Sequence, residues 1–220
     1  MSALRLPLMQ KIESVRDMQV EAARLRRGGE TIALVSTMGA LHAGHAAAIE
    51  KGREIADAVV VSVFVNPLAL GANENFAGYP RTPDADLKLC AELKVDVAFM
   101  PAAEEMFPRG YSTFVTEEIV SKPLCGISRP THFRGVTTGL AKLLNIVRPD
   151  FIVLSQREAQ EVAVVRKMLA DLCYAVEVAV VPIARDSDGL AVSVRNRNFT
   201  ASQRQEAQAI YRALQQAKAM

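Results

Sequence analysis

Short runs of apolar residues alternate with longer amphipathic stretches along most of the chain. The runs that predict buried strands are TIALVS, AVVVSVFV, VDVAFM, FIVLS and AVEVAVVPI, where β-branched residues are dense and charges are few. Apolar residues at helical spacing predict helices over residues 9–29, 42–57, 84–94, 133–148, 158–172 and 201–219. Residues 102–130 follow neither period, and only STFVT among them predicts a strand. Alternating strands and helices are typical of an α/β fold with a doubly wound parallel sheet.

The segments that follow the predicted strands carry most of the polar residues with candidate chemistry. They are STMGALHAGH, FVNPLALG, LSQRE and RDSDGLAVSVRN. Ligands of open parallel sheets bind outside the carboxyl ends of the strands, because the loops there leave the same edge of the sheet. The sequence therefore predicts one ligand site, built from four loops at this edge.

Composition restricts the class of protein without indicating a function. The 220 residues suit one large domain, or one domain with part of another, and 50% of them are hydrophobic. A net charge of +2 gives no reason to expect nucleic acid or a membrane as a partner. Three distant cysteines, Cys90, Cys125 and Cys173, predict reduced thiols. Arg5 interrupts the apolar N-terminus and no apolar run is long enough for a membrane span, so we expect a cytoplasmic protein.

Two of the 3 histidines, His42 and His45, lie three residues apart directly after the first predicted buried strand. They share one face of the first turn of a helix, where open N–H groups and the positive dipole end favour phosphate. Gly39 and Gly44 allow the backbone to come close to such a ligand. Imidazoles there can donate hydrogen bonds to a reacting phosphate, although capping or core packing would also explain two histidines. A zinc site is not expected, because no third ligand follows at a suitable spacing.

TMGALHAGH closely resembles the nucleotide-binding signature of the pantoate–β-alanine ligase family, whose members are HxGH nucleotidyltransferases. Further segments are similar to family segments in the same order: VVVSVFVNPLALGANENFAGYPRT, SRPTHFRGV, AKLLNIVRPD and DSDGLAVSVRNRN. The resemblance extends from about Thr31 to the end of the chain. It implies a Rossmann-like nucleotide- and acid-binding domain over residues 1–184, and a smaller, shortened C-terminal lid domain over residues 185–220. It also implies a homodimer formed through the first domain, with which the apolar AVVVSVFV region is compatible.

The resemblance implies an ATP-dependent ligation of two small molecules in two steps. A carboxylate, pantoate in the family, attacks the α-phosphate of ATP and gives an acyl-adenylate and pyrophosphate. An amine, β-alanine in the family, then attacks the acyl carbon and releases AMP, and Mg²⁺ accompanies the ATP. Such chemistry needs a phosphate cradle, hydrogen-bond donors for the transition state and a pocket that excludes water.

The resemblance also assigns roles to individual residues. Those matched to catalytic contacts are His42, His45, Arg157, Ser193 and Arg195. Those matched to ATP contacts are Met38, Gly39, Ser155, Glu158 and Val192. Those matched to the acid pocket are Asn66, Ala69, Tyr79, His132 and Glu161. Arginine suits phosphate because it is always charged and bidentate, although Arg195 by itself would be explained as a surface charge and His132 as loop scaffolding.

Several of these positions differ from the family pattern. Ala69 and Glu161 stand where the family has glutamines that hydrogen-bond pantoate; a glutamine donates to a carboxylate, whereas ionised Glu161 only accepts and repels it. Arg157 replaces a lysine, Glu158 an aspartate and Ser155 a glycine. Three functions therefore compete: ligation of pantoate and β-alanine, ligation of another acid or amine, and nucleotide binding without ligase activity.

Two other classes of protein fit less well. A nucleotidyltransferase that acts on a phosphate substrate would not need the acid-pocket segments FVNP and PTHFRG. A dehydrogenase would carry GxGxxG after the first strand, and the sequence lacks it there.

Overall fold

The computed structural model describes residues 9–70 and 76–220. Within them, six strands form one sheet: β1 (Gln10–Ile12), β2 (Ile32–Thr37), β3 (Ala58–Val63), β4 (Val97–Phe99), β5 (Phe151–Ser155) and β6 (Glu177–Val181). The α-helices are α1 (Val15–Arg27), α2 (Ala43–Ile55), α3 (Pro83–Glu92), α4 (Ala103–Met106), α5 (Cys125–Ser128), α6 (His132–Val147), α7 (Ala159–Asp171) and α8 (Ala201–Ala219). Two further turns are 3₁₀ helices, Gln156–Glu158 and Val194–Asn198. The predicted α/β class is confirmed.

The strand order across the sheet is β1-β4-β3-β2-β5-β6, and all neighbours are parallel. The chain runs from β2 outwards through β3 to β4, and then returns to the other side of β2 with β5 and β6. This reversal lies between β2 and β5, where Leu34 is in register with Ile152. Ligands of doubly wound sheets bind at such a switch point. The topology therefore places a crevice beyond Thr37 and Ser155.

Both faces of the sheet are covered, because alternate residues of the central strands enter different apolar clusters. Leu34 and Val60 pack on the face that α1, α6 and α7 cover, whereas Val35 and Val61 pack on the face that α2 covers. These four side chains are at most 2% exposed. Burial on both faces explains why β2 and β3 are continuous apolar runs in the sequence.

Two predicted elements differ from the structure. Residues 10–12, assigned to the first helix by their spacing, form β1 and pair with β4 at the edge of the sheet; the helix begins only after its N-cap, Ser14. STFVT is not a strand, and the backbone of its Val115 bonds to threonine side chains of α6 instead of to a neighbouring strand. The Val115 amide donates to Thr138 Oγ1, and the Val115 carbonyl accepts from Thr137 Oγ1.

The strand AVVVSVFV does not offer a dimer contact. β3 lies inside the sheet between β2 and β4, and Ala58 to Val61 are completely buried. The expectation that this region is compatible with a dimer interface is therefore wrong, since a central strand has no free edge or face.

Parts of the sequence argument concern residues outside the described ranges. These are the apolar N-terminus, residues 1–8, and residues 71–75 of the loop segment that resembles the family.

Within the described ranges, no helix combines the length and the apolar character that crossing a membrane requires.

Candidate active site

Two adjoining cavities, of about 270 and 130 Å³, open at the carboxyl ends of β2 and β5. They share His42, His45, Arg157, Glu158 and Glu161, so they form one cleft. Every residue singled out by the resemblance lines this cleft. Besides the five shared residues, the larger cavity is lined by Met38, Gly39, Asn66, Ala69, Tyr79, His132, Ser193 and Arg195, and the smaller one by Ser155 and Val192. The predicted convergence of four loops at one sheet edge is confirmed.

His42 and His45 are held by hydrogen bonds within the first turn of α2. His42 is the N-cap, and its Nδ1 accepts from the Gly44 amide at 3.1 Å. His45 Nδ1 accepts from the His42 amide at 3.2 Å, and the two ring centroids are 4.1 Å apart. Because Nδ1 accepts in both rings, each imidazole is neutral and carries its proton on Nε2. The Nε2–H groups are therefore the donors that the two rings can offer a ligand.

The expectation of open amides at this end of α2 is wrong at two positions. The His42 and Gly44 amides are bonded to imidazoles, so the histidines are caps and cleft residues at the same time. Burial, together with the nearby His42 and the Arg157 cation, lowers the pKa of His45 to about 3. His45 therefore stays neutral at physiological pH, as a hydrogen-bond donor and not as a proton shuttle.

The two 3₁₀ helices at the cleft are each capped by a serine. Ser155 Oγ accepts from the Arg157 amide and Ser193 Oγ accepts from the Arg195 amide, both at 3.2 Å. Arg157 Nη2 also donates to Ser193 Oγ at 3.4 Å, which links the two turns. Arg157 Nε lies 3.8 Å from a Glu158 carboxylate oxygen. The turns thus bring two arginines to the cavity that the histidines also line.

Helix α8 holds the segment that leads to Val192 and Ser193. Arg204 of this helix donates to Asp186 at 2.8 Å and to Asp188 at 2.9 Å. Part of the cleft wall therefore depends on an ion-paired contact between residues 186–188 and the last helix.

The cleft wall formed by residues 66–69 packs against two glycines of α6. Asn66 Nδ2 donates to the Gly135 carbonyl at 2.9 Å, and its Oδ1 accepts from the Leu68 amide at 3.0 Å. A Cβ on Gly139 would lie 2.4 Å from Asn66 Nδ2, and one on Gly135 would lie 2.0 Å from the Leu68 carbonyl oxygen. The glycines allow this close approach, and Asn66 supports the pocket wall as well as lining it.

Ala69 contributes its carbonyl oxygen to the same wall. His132 Nδ1 donates to it at 2.7 Å and Arg129 Nη2 donates to it at 3.2 Å. The loop-supporting contact that was the alternative explanation for His132 is therefore present, and its ring also lines the cavity. Arg129 adds a cation to this side of the cleft.

Glu161 lies where the two cavities meet, and no group in the described part of the chain donates a hydrogen bond to its carboxylate. Burial, together with the Glu158 carboxylate, raises the pKa of Glu161 to about 7, and the Arg129 cation opposes this rise. At neutral pH a substantial fraction of Glu161 is therefore protonated. In that form it donates a hydrogen bond, as a glutamine would. The repulsion expected between ionised Glu161 and an acid then applies mainly above pH 7.

Several residues that line or support the site were not singled out from the sequence. Arg129 lies within SRPTHFRGV, and the spacing of Gly135 and Gly139 along a predicted helix was a usable signal of close approach. Asp86 has no such signal, because the amide it binds at Ala40 is 46 residues away.

The sheet and the cleft at its switch point define the class of protein, an α/β protein of nucleotidyltransferase-like fold. The model of the pantoate-beta-alanine ligase family matches residues 8–220. The chain therefore belongs to the pantoate–β-alanine ligase family.

Individual relatives agree with this membership. The pantothenate synthetase of Heliobacterium modesticaldum is 50% identical over 210 residues, which cover 96% of this chain and 75% of that protein. The crystal structure of pantothenate synthetase from Thermus thermophilus matches with a TM-score of 0.88 and 40% identity, over 94% of this chain and 73% of that one. The pantoate-beta-alanine ligase of Francisella tularensis, complexed with beta-gamma ATP and beta-alanine, matches with a TM-score of 0.88 and 32% identity, over 94% and 79% of the two chains.

Proposed function

We propose that this chain ligates pantoate and β-alanine with ATP, through a pantoyl-adenylate, and releases AMP and pyrophosphate. The observation that carries the proposal is the single cleft, in which donors suited to phosphate adjoin a pocket suited to a carboxylic acid. Family membership supports it. So does the relative whose crystal structure contains beta-gamma ATP and beta-alanine.

In the first step, a carboxylate oxygen of pantoate bonds to the α-phosphorus of ATP, and the bond from that phosphorus to pyrophosphate breaks. We assign the Nε2–H donors of His42 and His45 to the α-phosphate, where charge develops in the transition state. Arg157, Ser193 and Arg195 hold the outer phosphates, for which guanidinium groups are suited. None of these contacts requires a proton transfer, which agrees with the neutral state of His45.

The nucleoside part of ATP is proposed to lie against Met38, Gly39, Ser155 and Val192. Mg²⁺ is proposed to accompany the triphosphate, because it takes most of its ligands from phosphate oxygens and water and needs few protein carboxylates. The cleft fits that requirement, since the Glu158 side chain is 58% exposed and would hold the ion. When bound, Mg²⁺ neutralises charge on the phosphates.

The acid half of the site is proposed to comprise Asn66, Ala69, Tyr79, His132 and Glu161, with protonated Glu161 donating to pantoate. In the second step the amine of β-alanine attacks the acyl carbon. The bond from that carbon to the AMP oxygen breaks, and the amine nitrogen loses a proton. Residues 1–184 would bind the acid and most of the nucleotide, and residues 185–220 would add contacts to ATP from Val192, Ser193 and Arg195 and shield the adenylate from water.

A cytoplasmic homodimer formed through residues 1–184 completes the proposal. The three cysteines are unpaired thiols, which suits a reducing compartment. Ile119, Leu124 and Ile127 are each about three-quarters exposed on the segment before α6, and a partner subunit would cover such apolar side chains.

Activation of a different acid is the second candidate function. Glu161 and the Ala69 methyl group favour it, because ionised Glu161 accepts from a cationic substituent and a methyl group leaves room for a larger acid.

The decisive experiment is acid-dependent ATP–pyrophosphate exchange with Mg²⁺, using pantoate beside a panel of small hydroxy and amino acids. We expect exchange with pantoate, and pantothenate once β-alanine is added. Exchange with another acid alone would establish the second candidate. Nucleotide binding without exchange would contradict both. The His42→Ala variant is the control for contaminating activity.

A further inference from the structure

We infer that Asp86 is a positioning residue for adenylate formation: it holds the turn after β2 and, through that turn, orients His45. Asp86 lies on α3 and is only 2% exposed. It lines neither of the two cavities that form the cleft. The inference rests on the proposed function, because it concerns the rate of the first chemical step.

The Asp86 carboxylate binds two consecutive backbone amides of this turn. Ala40 N–H donates to Oδ2 at 3.0 Å and Leu41 N–H donates to Oδ1 at 2.8 Å. Thr82 Oγ1 also donates to Oδ1, at 3.0 Å. Consecutive amides of a tight turn form a concavity that binds anions, and here the anion is a side chain of the protein itself.

The turn that Asp86 holds has an unfavourable backbone. Gly39 has a φ of 84° and Ala40 a φ of 51°, and the left-handed region is unfavourable for alanine. A Cβ on Gly39 would lie 3.2 Å from both Asp86 Oδ2 and Val63 Cγ1, so the turn is closely enclosed between α3 and β3. The Asp86 hydrogen bonds therefore stabilise a conformation that the turn would not keep by its own preference.

The same turn determines the direction of the next amide. After Ala40 and Leu41, the His42 amide donates to His45 Nδ1 at 3.2 Å. Three successive amides thus donate hydrogen bonds to two side chains, Asp86 and His45. If the turn relaxes, the His42 amide rotates, and the His45 ring loses the hydrogen bond that orients its Nε2–H towards a ligand.

The test is the Asp86→Asn variant, which keeps the size of the side chain but places an NH₂ group opposite one of the two amides. We expect kcat for pantoate-dependent ATP–pyrophosphate exchange to fall roughly tenfold or more, because small displacements of catalytic groups are costly. KM for pantoate should not change, since the wall at Asn66 is held by α6. Unchanged kcat would overturn the inference.

The matched control is Asp96→Asn. Asp96 also binds a backbone amide, that of Val59 at 2.8 Å, but it lies at the opposite end of β3. This variant should lose thermal stability without a change in kcat per folded molecule. An equal loss of kcat in both variants would reduce Asp86 to a general stabilising residue and contradict the inference.

Two further measurements separate this inference from the proposed function. Adding Ala40→Gly to Asp86→Asn should restore part of the lost kcat, because glycine adopts the left-handed conformation without support. The imidazole ¹⁵N resonances of His45 should move in Asp86→Asn and not in Asp96→Asn, whether or not the wild-type enzyme exchanges pyrophosphate. Absence of wild-type exchange would contradict the proposed function alone, whereas unmoved His45 resonances would contradict the role of Asp86.

Discussion

The two halves of the cleft are held together in different ways. The half proposed to bind the nucleotide, here called the nucleotide half, is formed by the histidines of α2 and the two 3₁₀ turns, and its side chains accept from amides only two or three residues away. In the half proposed to bind the acid, here called the acid half and formed by residues 66–69, α6 and Glu161, the supporting bonds join distant parts of the chain. Asn66 reaches Gly135 across 69 residues, and His132 reaches Ala69 across 63.

This difference indicates which half of the cleft is more sensitive to substitutions in distant parts of the chain. A local hydrogen bond forms with its own helix or turn and depends on few distant residues, such as Asp86, which holds the turn before His42. A long-range bond requires α6 to pack closely on residues 66–69, so the pocket there changes with small alterations in either partner. The replacements at Ala69 and Glu161 lie in this second half. In the first half both histidines are present, although the first 3₁₀ turn and its cap also differ from the family pattern, at Ser155, Arg157 and Glu158.

The largest expected effect is in the nucleotide half. His45→Ala should lower the rate of ATP–pyrophosphate exchange by about 10²–10³-fold, because it removes a donor aimed at developing phosphate charge. His132→Ala, in the acid half, should chiefly raise KM for pantoate. A fall in exchange rate of less than tenfold in His45→Ala, together with a larger fall in His132→Ala, would contradict this comparison between the halves.

The pH dependence of stability gives a second test of the nucleotide half. The pKa of His45 is about 3 in the folded protein, below its ordinary value of 6.5, so the unfolded chain takes up a proton first as the pH falls. The contribution of His45 to the free energy of unfolding is therefore complete above pH 6.5 and is lost towards pH 3. The slope approaches about 1.4 kcal/mol per pH unit. Urea unfolding between pH 7 and 4 should show a free energy of unfolding that falls more steeply with falling pH in the wild type than in His45→Gln; equal slopes would argue against a His45 imidazole that the fold keeps neutral.

The close packing of the acid half is tested by Gly139→Ala. The new Cβ would lie 2.4 Å from Asn66 Nδ2, so the amide must move. We expect a loss of about 1–3 kcal/mol in the free energy of unfolding and a higher KM for pantoate, with KM for ATP unchanged. Adding Asn66→Ala should restore part of the stability but not the KM. A double variant no more stable than Gly139→Ala would show that the clash lies elsewhere.

The smallest expected effect concerns Glu161. Its pKa of about 7 in the folded protein lies above the ordinary 4.5, so the folded state retains its proton more tightly, and its ionisation costs stability as the pH rises from 4.5 to 7. In the proposed acid pocket, ionised Glu161 would also repel the carboxylate of pantoate. KM for pantoate should therefore rise roughly tenfold as the pH is raised through 7, and Glu161→Gln should remove most of this rise. Parallel pH profiles for the two enzymes would assign the titration to another group.

Much of the fold was predictable from local pattern. β5 lies at Phe151–Ser155 as predicted, and α8 lies at Ala201–Ala219 as predicted, because one is an uninterrupted apolar run and the other begins with a threonine cap. β1 was missed because three residues at the sheet edge have no period of their own. STFVT was misassigned because its backbone partners are threonine side chains of α6, and no pattern within five residues indicates them.

The sequence by itself determined the alternation of strands and helices and the edge of the sheet where the loops meet, since burial period, caps and turn residues act within a few positions. The individual residues that line the cleft there were indicated by the resemblance to the ligase family, and not by local pattern. Tertiary structure alone decided that Glu161 is partly buried, with no hydrogen-bond donor to its carboxylate in the described part of the chain, and that Asp86 holds the turn before His42. Such properties depend on which distant groups exclude water and which supply hydrogen bonds, and packing creates both.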